Sequence, residues 1–274
     1  MRIFKNKART AIISAVAVLV VLTLVLCILV PFLKAKKAQG MLASGEMNRA
    51  AEVLASVSGF PFNNPAGNLI KGSQLSKAYS EIEIGSVVRF GEYEQDNDED
   101  NGKEEIVWIV LDKKDGRVLL ISRLAIDTKQ YSKYGIISMS WENSFVRKWL
   151  NGTFLSEAFS AECQELIASA TDENAVNTVY GTDCGGDTQD RVFLLSVEEM
   201  EKYSSYAACG ATDYAKAKGM TMGADGNCWW WLRTMGRGSD YAACVFTNGT
   251  VQPHGSGVTG RGIGIRPAIW VEIG

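Results

Sequence analysis

The sequence predicts an α+β domain over residues 81–274, preceded by a transmembrane helix and a short helical hairpin. Three observations lead to this prediction. Strand-like runs stand at both ends of the region after residue 81, segments with helical periodicity lie between them, and a long apolar stretch without charge occupies residues 10–33. Because strands and helices are segregated along the chain, the pattern favours α+β over an alternating α/β sheet.

Residues 10–33 are the predicted membrane anchor. This stretch contains no charged residue, and a helix of this length spans the roughly 30 Å of a bilayer's hydrocarbon core. A cleaved signal peptide is the alternative, but lysines at 34, 36 and 37 follow directly, where a small-residue cleavage site would stand. We expect residues 1–9 to be cytoplasmic and the rest to be the extracytoplasmic part of a single-pass protein of the cell membrane.

The charge of the chain argues against nucleic acid as a partner. Seven of the 28 basic residues precede the first acidic residue, Glu46, so the remainder carries 21 basic against 31 acidic residues. A surface with this excess of negative charge repels a phosphate backbone. The expected partners are the membrane, through residues 10–33, and a surface ligand.

Residues 34–80 are predicted to be a helical spacer. Apolar residues recur at helical spacing between Met41 and Val57, and Gly45 stands where a turn between two helices is needed. The pattern resembles one tetratricopeptide-like hairpin. Because about three such repeats are needed for a stable array, we expect a spacer rather than a binding superhelix.

Turn residues predict two hairpins in the domain that begins near residue 81. In IVWIVLDKKDGRVLLISR two β-branched runs flank Asp115-Gly116, and in YAACVFTNGTVQ similar runs flank Asn248-Gly249. Asp-Gly and Asn-Gly pairs supply the positive φ angles that tight hairpins need. Further strands are predicted in CWWWLRT and in the terminal GIGIRPAIWVEIG.

Three short helices are predicted between these strands. Ser140 is the expected N-cap of the first, Ser160 begins the second, and Ser196 with Glu199 has the capping-box form that predicts a third over residues 197–203. The apolar face of the first helix comprises Trp141, Phe145, Trp149 and Leu150.

The order of these motifs resembles a known family. The succession FGEY, IVWIVL, LLISR, KWLNGTFL, VFLLS, WWLRT, VFTNGTV and GIRPAIWV is similar to an uncharacterised bacterial family of domains of unknown function, common on Gram-positive surface proteins. The ending also resembles the C-type-lectin-like fold of sulfatase-modifying-factor domains and of variable ligand-binding proteins of diversity-generating retroelements. The resemblance covers residues 81–274. It implies a rigid core of Trp and Arg motifs beneath a loop-rich surface, and it supplies no activity.

A ligand-binding surface is predicted in the last fifty residues. Eight glycines between residues 235 and 266 indicate loops, and polar side chains on a fixed scaffold commonly form recognition surfaces. One or two rings of CWWWLRT are candidates to stack on a sugar or peptide; alternatively they fill the core while Arg233 braces the fold. The candidate ligand-binding residues are Trp230, Arg233, Arg237, Asp240, Tyr241, His254 and Arg261.

No cofactor is predicted, and calcium is the alternative left open. The acidic run DNDED at residues 96–100 does not fit an EF-hand, because Asn101 stands where Gly is required and Val107 where the bidentate Glu belongs. We therefore expect a solvated hairpin loop there. A second calcium candidate is TDCGGDTQD at residues 182–190, which offers three aspartates.

The cysteines leave the disulfide question open. Five follow the anchor, an odd number without C-x-x-C spacing, which argues against a zinc site. One or two disulfides among the five are compatible with this pattern, with Cys209, Cys228 and Cys244 as the leading candidates, and so are five buried thiols.

The leading hypothesis is a binding module that recognises a surface glycan, peptide or protein through its C-terminal loops. No catalytic residue is predicted, because His254 is the only histidine and nothing nearby resembles a nucleophile elbow. The alternatives are a cell-envelope enzyme, either a hydrolase with paired carboxylates or a sulfatase-modifying-factor-like protein with a thiol, and a structural or assembly component.

Overall fold

The computed structural model describes residues 82–134 and 139–273, which form a mixed α+β structure of many strands and few short helices. This confirms the predicted fold class at that level. The anchor predicted at 10–33 and the spacer predicted at 34–80 lie outside the described residues. Among the described helices, none has the length and hydropathy of a membrane span. All described residues belong to one compact unit, Phe62–Gly274.

The strands account for most of the regular structure in this unit. They are β1 (Val87–Tyr93), β2 (Glu104–Lys114), β3 (Arg117–Ser122), β4 (Asp127–Thr128), β5 (Ile167–Ala168), β6 (Ala170–Asp172), β7 (Thr188–Asp190), β8 (Trp230–Met235), β9 (Tyr241–Val245), β10 (Val251–Gly257), β11 (Gly264–Ile265) and β12 (Ala268–Glu272).

The helices are short and lie between β4 and β8. They are α1 (Phe145–Trp149), which continues through a π-helical turn (Leu150–Phe154) into α2 (Leu155–Ala158), then α3 (Ala161–Leu166), α4 (Val197–Lys202), a 3₁₀ turn (Ser204–Tyr206) and α5 (Asp213–Ala217).

Two of the three predicted helix starts are confirmed. The Ser160 hydroxyl accepts a hydrogen bond from the Cys163 N–H, and Ser196 with Glu199 forms a complete capping box at α4. Ser140 as the first N-cap was wrong. Ser144, one turn further along, accepts from the Arg147 N–H at 3.0 Å, because the chain first makes a separate turn in which Asn143 bonds the Ser140 N–H.

The first sheet has the strand order β1-β2-β3-β12-β5, with antiparallel neighbours throughout. The C-terminal strand β12 therefore pairs with β3 from the beginning of the domain. The predicted hairpin turn between β2 and β3 is confirmed: Asp115 and Gly116 both have positive φ, at 50° and 75°.

The second sheet has the order β10-β9-β8-β11-β4. Strands β8, β9 and β10 are antiparallel, and β11 runs parallel to β8. The predicted hairpin between β9 and β10 is confirmed, with Gly249 at a φ of 81° and the Phe246 N–H bonded to the Thr250 carbonyl. Only Arg266 and Pro267 separate β11 from β12, so these two residues connect the sheets.

The core is rich in large rings. The fully buried rings include Trp108 of β2, Trp141 before α1, Phe193, and Trp230 and Trp231 at the start of β8. The sheet formed by β8, β9 and β10 is therefore covered on both faces at its centre. Its polar loops and edges remain as the accessible part.

Candidate functional site

Trp230 and Trp231 both lie inside the protein. As adjacent residues of β8 they point to opposite faces, and each indole N–H donates to a main-chain carbonyl, Trp230 to Ala207 and Trp231 to Lys129, both at 3.0 Å. Both rings are 0% exposed. A ring without accessible surface has no face on which a ligand can stack. Trp230 is therefore a core residue and not part of an accessible binding site.

Arg233 is also buried, at 3% exposure, and braces the helix α4 against β8. Its guanidinium forms an ion pair with Glu199 and donates to the carbonyls of Leu194 and Glu173. Glu199 is at the same time the capping-box residue of α4. Arg233 therefore joins three segments of the fold, and its donors are directed inward rather than toward solvent.

The turn between β8 and β9 brings four of the predicted site residues together. The Arg237 guanidinium lies 4.1 Å over the Tyr241 ring and donates to the Tyr241 hydroxyl. The Arg237 N–H donates to the His254 carbonyl at 3.0 Å, and the Asp240 carbonyl accepts from the Val258 N–H at 2.9 Å. Arg237 and Asp240 are exposed, while Tyr241 and His254 are half-buried.

The remaining predicted residue, Arg261, is exposed in the loop between β10 and β11. That loop begins at Val258, whose N–H holds the Asp240 carbonyl, so it adjoins the same turn. Ligand binding by Arg261 and by the other exposed candidates stays a prediction.

A loop that the sequence reasoning did not single out lies against this cluster. Asn177, 2% exposed, donates from its side-chain amide to the carbonyls of Met235 at 2.8 Å and Pro253 at 2.9 Å. Its Oδ1 accepts from the N–H groups of Val179 and Tyr180. One buried asparagine thus shapes the loop and attaches it to β8 and β10, next to Arg237 and His254.

This loop exposes apolar side chains. The large hydrophobic residues that are exposed in the described part of the chain are Ile84, Tyr134, Val176, Val179 and Tyr180. Three of these five belong to the loop around Asn177, with Val179 at 62% and Tyr180 at 47% exposure. The sequence signal that points to this loop is the pattern Asn-x-x-x-Gly at 177–181, in which Gly181 takes a φ of 69°.

A stacked ring pair lies at the far end of β8 and β9. The rings of Trp229 and Phe246 are 4.3 Å apart between centroids, and His254 meets Phe246 edge-on at 6.3 Å. All three are half-buried. They pack at one end of these strands. His254 therefore contacts the ring pair through its imidazole and Arg237 through its main-chain carbonyl.

The acidic loop between β1 and β2 closes a hairpin, and its residues 96–100 are exposed. Ligand oxygens of Glu94, Asp96 and Glu104 lie within 4.8 Å of one another, a spacing compatible with a cation. The same carboxylates accept main-chain hydrogen bonds: Glu94 accepts from the N–H groups of Asn97 and Asp98, and Glu104 accepts from those of residues 95 and 96. Their arrangement shapes the loop.

The second calcium candidate is dispersed. Asp190 forms an ion pair with Arg147, Asp187 accepts from the Asn174 N–H, and Asp183 accepts from the Gly185 N–H. The three carboxylates of residues 182–190 thus serve three different partners, and among the described residues they do not converge within 4.8 Å as the ligands of one ion would.

A buried carboxyl pair is the closest approach to catalytic chemistry. Asp172 and Asp190 are 3% and 1% exposed. Burial raises the pKa of Asp172 to about 8, with smaller opposing and reinforcing effects from Arg233 and Asp190. Asp172 is therefore mostly protonated at neutral pH, and it lies near Asp190 inside the fold, where a substrate has no access.

Comparison with known proteins gives one match. A family model described as a domain of unknown function, DUF6273, matches residues 115–273. The match covers more than half of the chain, which bears out the resemblance to a family of domains of unknown function. No curated protein and no solved structure matches the chain.

Proposed function

We propose that this chain, which belongs to the DUF6273 family, is a binding protein that recognises an extracytoplasmic glycan, peptide or protein. The binding residues form what we call the loop surface. It comprises Val179, Tyr180, Arg237, Asp240, Tyr241 and His254.

The concentration of exposed apolar side chains in one fixed loop is the observation that carries this proposal. Val179 and Tyr180 leave 62% and 47% of their surface exposed, yet their backbone is held in place. Asn177 Oδ1 accepts hydrogen bonds from both of their N–H groups, and the Asn177 amide donates to the carbonyls of Met235 and Pro253. A loop that exposes hydrophobic groups in a fixed geometry loses little conformational freedom when a partner covers it. Such preorganisation favours binding.

The polar side chains of the loop surface offer directional hydrogen bonds and charge to a partner. The Arg237 guanidinium rests on the Tyr241 ring, which orders it while its outer donors face solvent. Asp240 adds an exposed acceptor group beside it. A partner that presents an apolar face with adjacent hydroxyl or carboxylate groups matches this combination of ring, cation and anion.

The proposal extends to the lectin-like fold and the location. The pairing of β12 with β3 and the loop-rich second sheet are compatible with a C-type-lectin-like domain. The apolar residues 10–33 support a membrane anchor, with the loop surface outside a bacterial cell.

The enzyme remains the alternative, and a hydrolase would have to use carboxyl groups other than the buried pair of Asp172 and Asp190.

A binding screen with matched variants tests the proposal. Labelled full chain in detergent is applied to a glycan array and a peptide library, alongside Tyr180→Ala, Arg237→Ala and the control Ile84→Ala. We expect the loop-surface variants to lose about tenfold or more in affinity, because central aromatic and Arg contacts dominate binding. Ile84 is an equally exposed hydrophobic residue outside the loop surface, so its variant should bind normally. Equal binding by all four proteins would contradict the proposed surface.

A further inference from the structure

Two buried cysteines lie within reach of each other at the start of β8. The Sγ atoms of Cys209 and Cys228 are 4.0 Å apart, and the residues are 1% and 0% exposed. The Cys228 N–H donates to the Cys209 carbonyl at 2.9 Å. This hydrogen bond keeps the two backbone segments side by side, so small side-chain rotations suffice to bring the sulfurs to the roughly 2.05 Å of an S–S bond.

The surroundings of this pair favour a thiolate at Cys209. The buried guanidinium of Arg266 donates to the carbonyls of Ser122 and Ala207, which are neutral acceptors. Burial opposes ionisation of Cys209, but the hydrogen bond with Cys228 and the Arg266 charge lower the pKa of Cys209 below its usual value. The hydrogen bond with Cys209 and burial raise the pKa of Cys228. Cys209 is thus the more nucleophilic sulfur of the pair.

The other thiols of the second sheet have different environments. Cys244 lies opposite Trp231 on β9, and burial raises its pKa to about 12. The Cys184 sulfur accepts a hydrogen bond from the Met235 N–H, and burial raises its pKa as well. In the described part of the chain, the pair of Cys209 and Cys228 is distinguished by its Sγ–Sγ contact of 4.0 Å.

We propose that Cys209 and Cys228 form a disulfide that fastens the segment preceding α5 to the start of β8. This assigns one bond among the pairings that the sequence left open, and it leaves Cys244 as a free thiol. The bond closes a loop of about twenty residues that contains α5 and the turn at 223–227.

The oxidant is a disulfide of the thiol-exchange class, such as glutathione disulfide or an oxidised dithiol protein. The Cys209 thiolate attacks one sulfur of the oxidant, forms a mixed disulfide and releases the first thiolate. Cys228 then loses its proton, attacks the Cys209 sulfur and releases the second thiolate. The protein loses two electrons and two protons, and the oxidant is reduced to two thiols. Because both sulfurs are buried, the exchange takes place before folding is complete or during local opening.

Peptide mapping tests the bond directly. The full chain is refolded in detergent with glutathione disulfide, its remaining thiols are alkylated under denaturing conditions, and the protein is digested without reduction. We expect one linked peptide pair containing Cys209 and Cys228, lighter than the reduced pair by two hydrogen atoms, with alkylated Cys244. Alkylation of both Cys209 and Cys228, or a main linkage to Cys184 or Cys244, would overturn the assignment.

Thermal unfolding provides a second readout in which each variant is compared only with itself, so differences in stability between variants do not affect the result. For every protein, the melting temperature is compared between oxidised and reduced samples. Closure of a loop of this length should raise it by roughly 6–12 °C in the wild type and in the control Cys244→Ser. Cys209→Ser and Cys228→Ser should show no such shift. The same shift in those two variants, or none in the wild type, would refute the bond.

Discussion

At the scale of single residues, the shape of the candidate surface depends on a few buried polar side chains. In the loop around Asn177, which has no helix or strand, the Asn177 side chain makes hydrogen bonds to main-chain groups. The ion pair of Arg233 with Glu199 connects β8 to α4. Polar groups removed from water are stable only when their partners are present. Each of these side chains therefore fixes the backbone of a neighbouring loop.

Replacement of Asn177 by Ala should loosen the loop surface. The variant loses four hydrogen bonds and leaves the buried carbonyl of Met235 without its amide donor, so we expect a loss of about 2–4 kcal/mol in the free energy of unfolding. Urea unfolding measures the loss, and limited proteolysis should cut near residues 176–182. The exposed control Asn101→Ala, which removes one bond to Asp96, should change stability little. Similar values for both variants would contradict this role.

Asp172 should make stability depend on pH. Burial raises its pKa in the folded protein to about 8, above the unfolded value near 3.8. Below the unfolded pKa both states are protonated. Between about pH 4 and 8 only the unfolded state ionises, so this group costs progressively more stability as pH rises.

The Asp172→Asn variant keeps a neutral amide that can donate to Asp190 and does not titrate. The free energy of unfolding of the variant minus that of the wild type should therefore be larger at pH 8 than at pH 5. Parallel urea titrations of both proteins at the two pH values measure this difference. A difference that stays constant would show that Asp172 is ionised in the folded protein.

At the scale of elements, sequence patterns predicted what depends on neighbours along the chain. The turns at Asp115-Gly116 and Asn248-Gly249 and the capping box at Ser196 were correct, because φ preferences and caps act within a few residues. The N-cap at Ser140 was wrong because two serines compete there and only the turn geometry selects Ser144.

The patterns could not predict burial that depends on distant segments. Alternation in β8 correctly separates Trp230 from Trp231. It does not reveal that the indole N–H groups donate to the distant carbonyls of Ala207 and Lys129. The loop around Asn177 escaped for the same reason. Its partners Met235 and Pro253 are far away in sequence, and no periodic pattern encodes such a contact.

The strand β10 contains a glycine that the structure requires. Gly255 has a φ of 72°, and a Cβ there would lie 2.1 Å from the Ala242 carbonyl oxygen of β9. Gly255→Ala should therefore destabilise the protein by about 2–4 kcal/mol and displace the neighbouring His254. The control Gly257→Ala, in the same strand, meets nothing within 4 Å and should be nearly neutral. Urea unfolding of both variants checks this, and equal stabilities would show that β10 does not approach β9 so closely.

At the scale of the whole molecule, the folded unit is larger than the segment shared with the family. The family match begins at residue 115, whereas the first sheet also contains β1 and β2. Trp108 and Val110 of β2 are completely buried, so this sheet buries core residues from both inside and outside the matched segment. The loop surface lies wholly within the matched segment.

The proposed function requires that a partner covers the loop surface in the cell, and site-specific photo-crosslinking detects such a partner. A photoreactive amino acid is incorporated at position 180 in one protein and at position 84 in another, and intact cells are irradiated. We predict a discrete adduct from position 180 and none from position 84, because only the first lies on the loop surface. Equal adducts from both positions, or none from position 180, would show that no partner binds specifically at the loop surface.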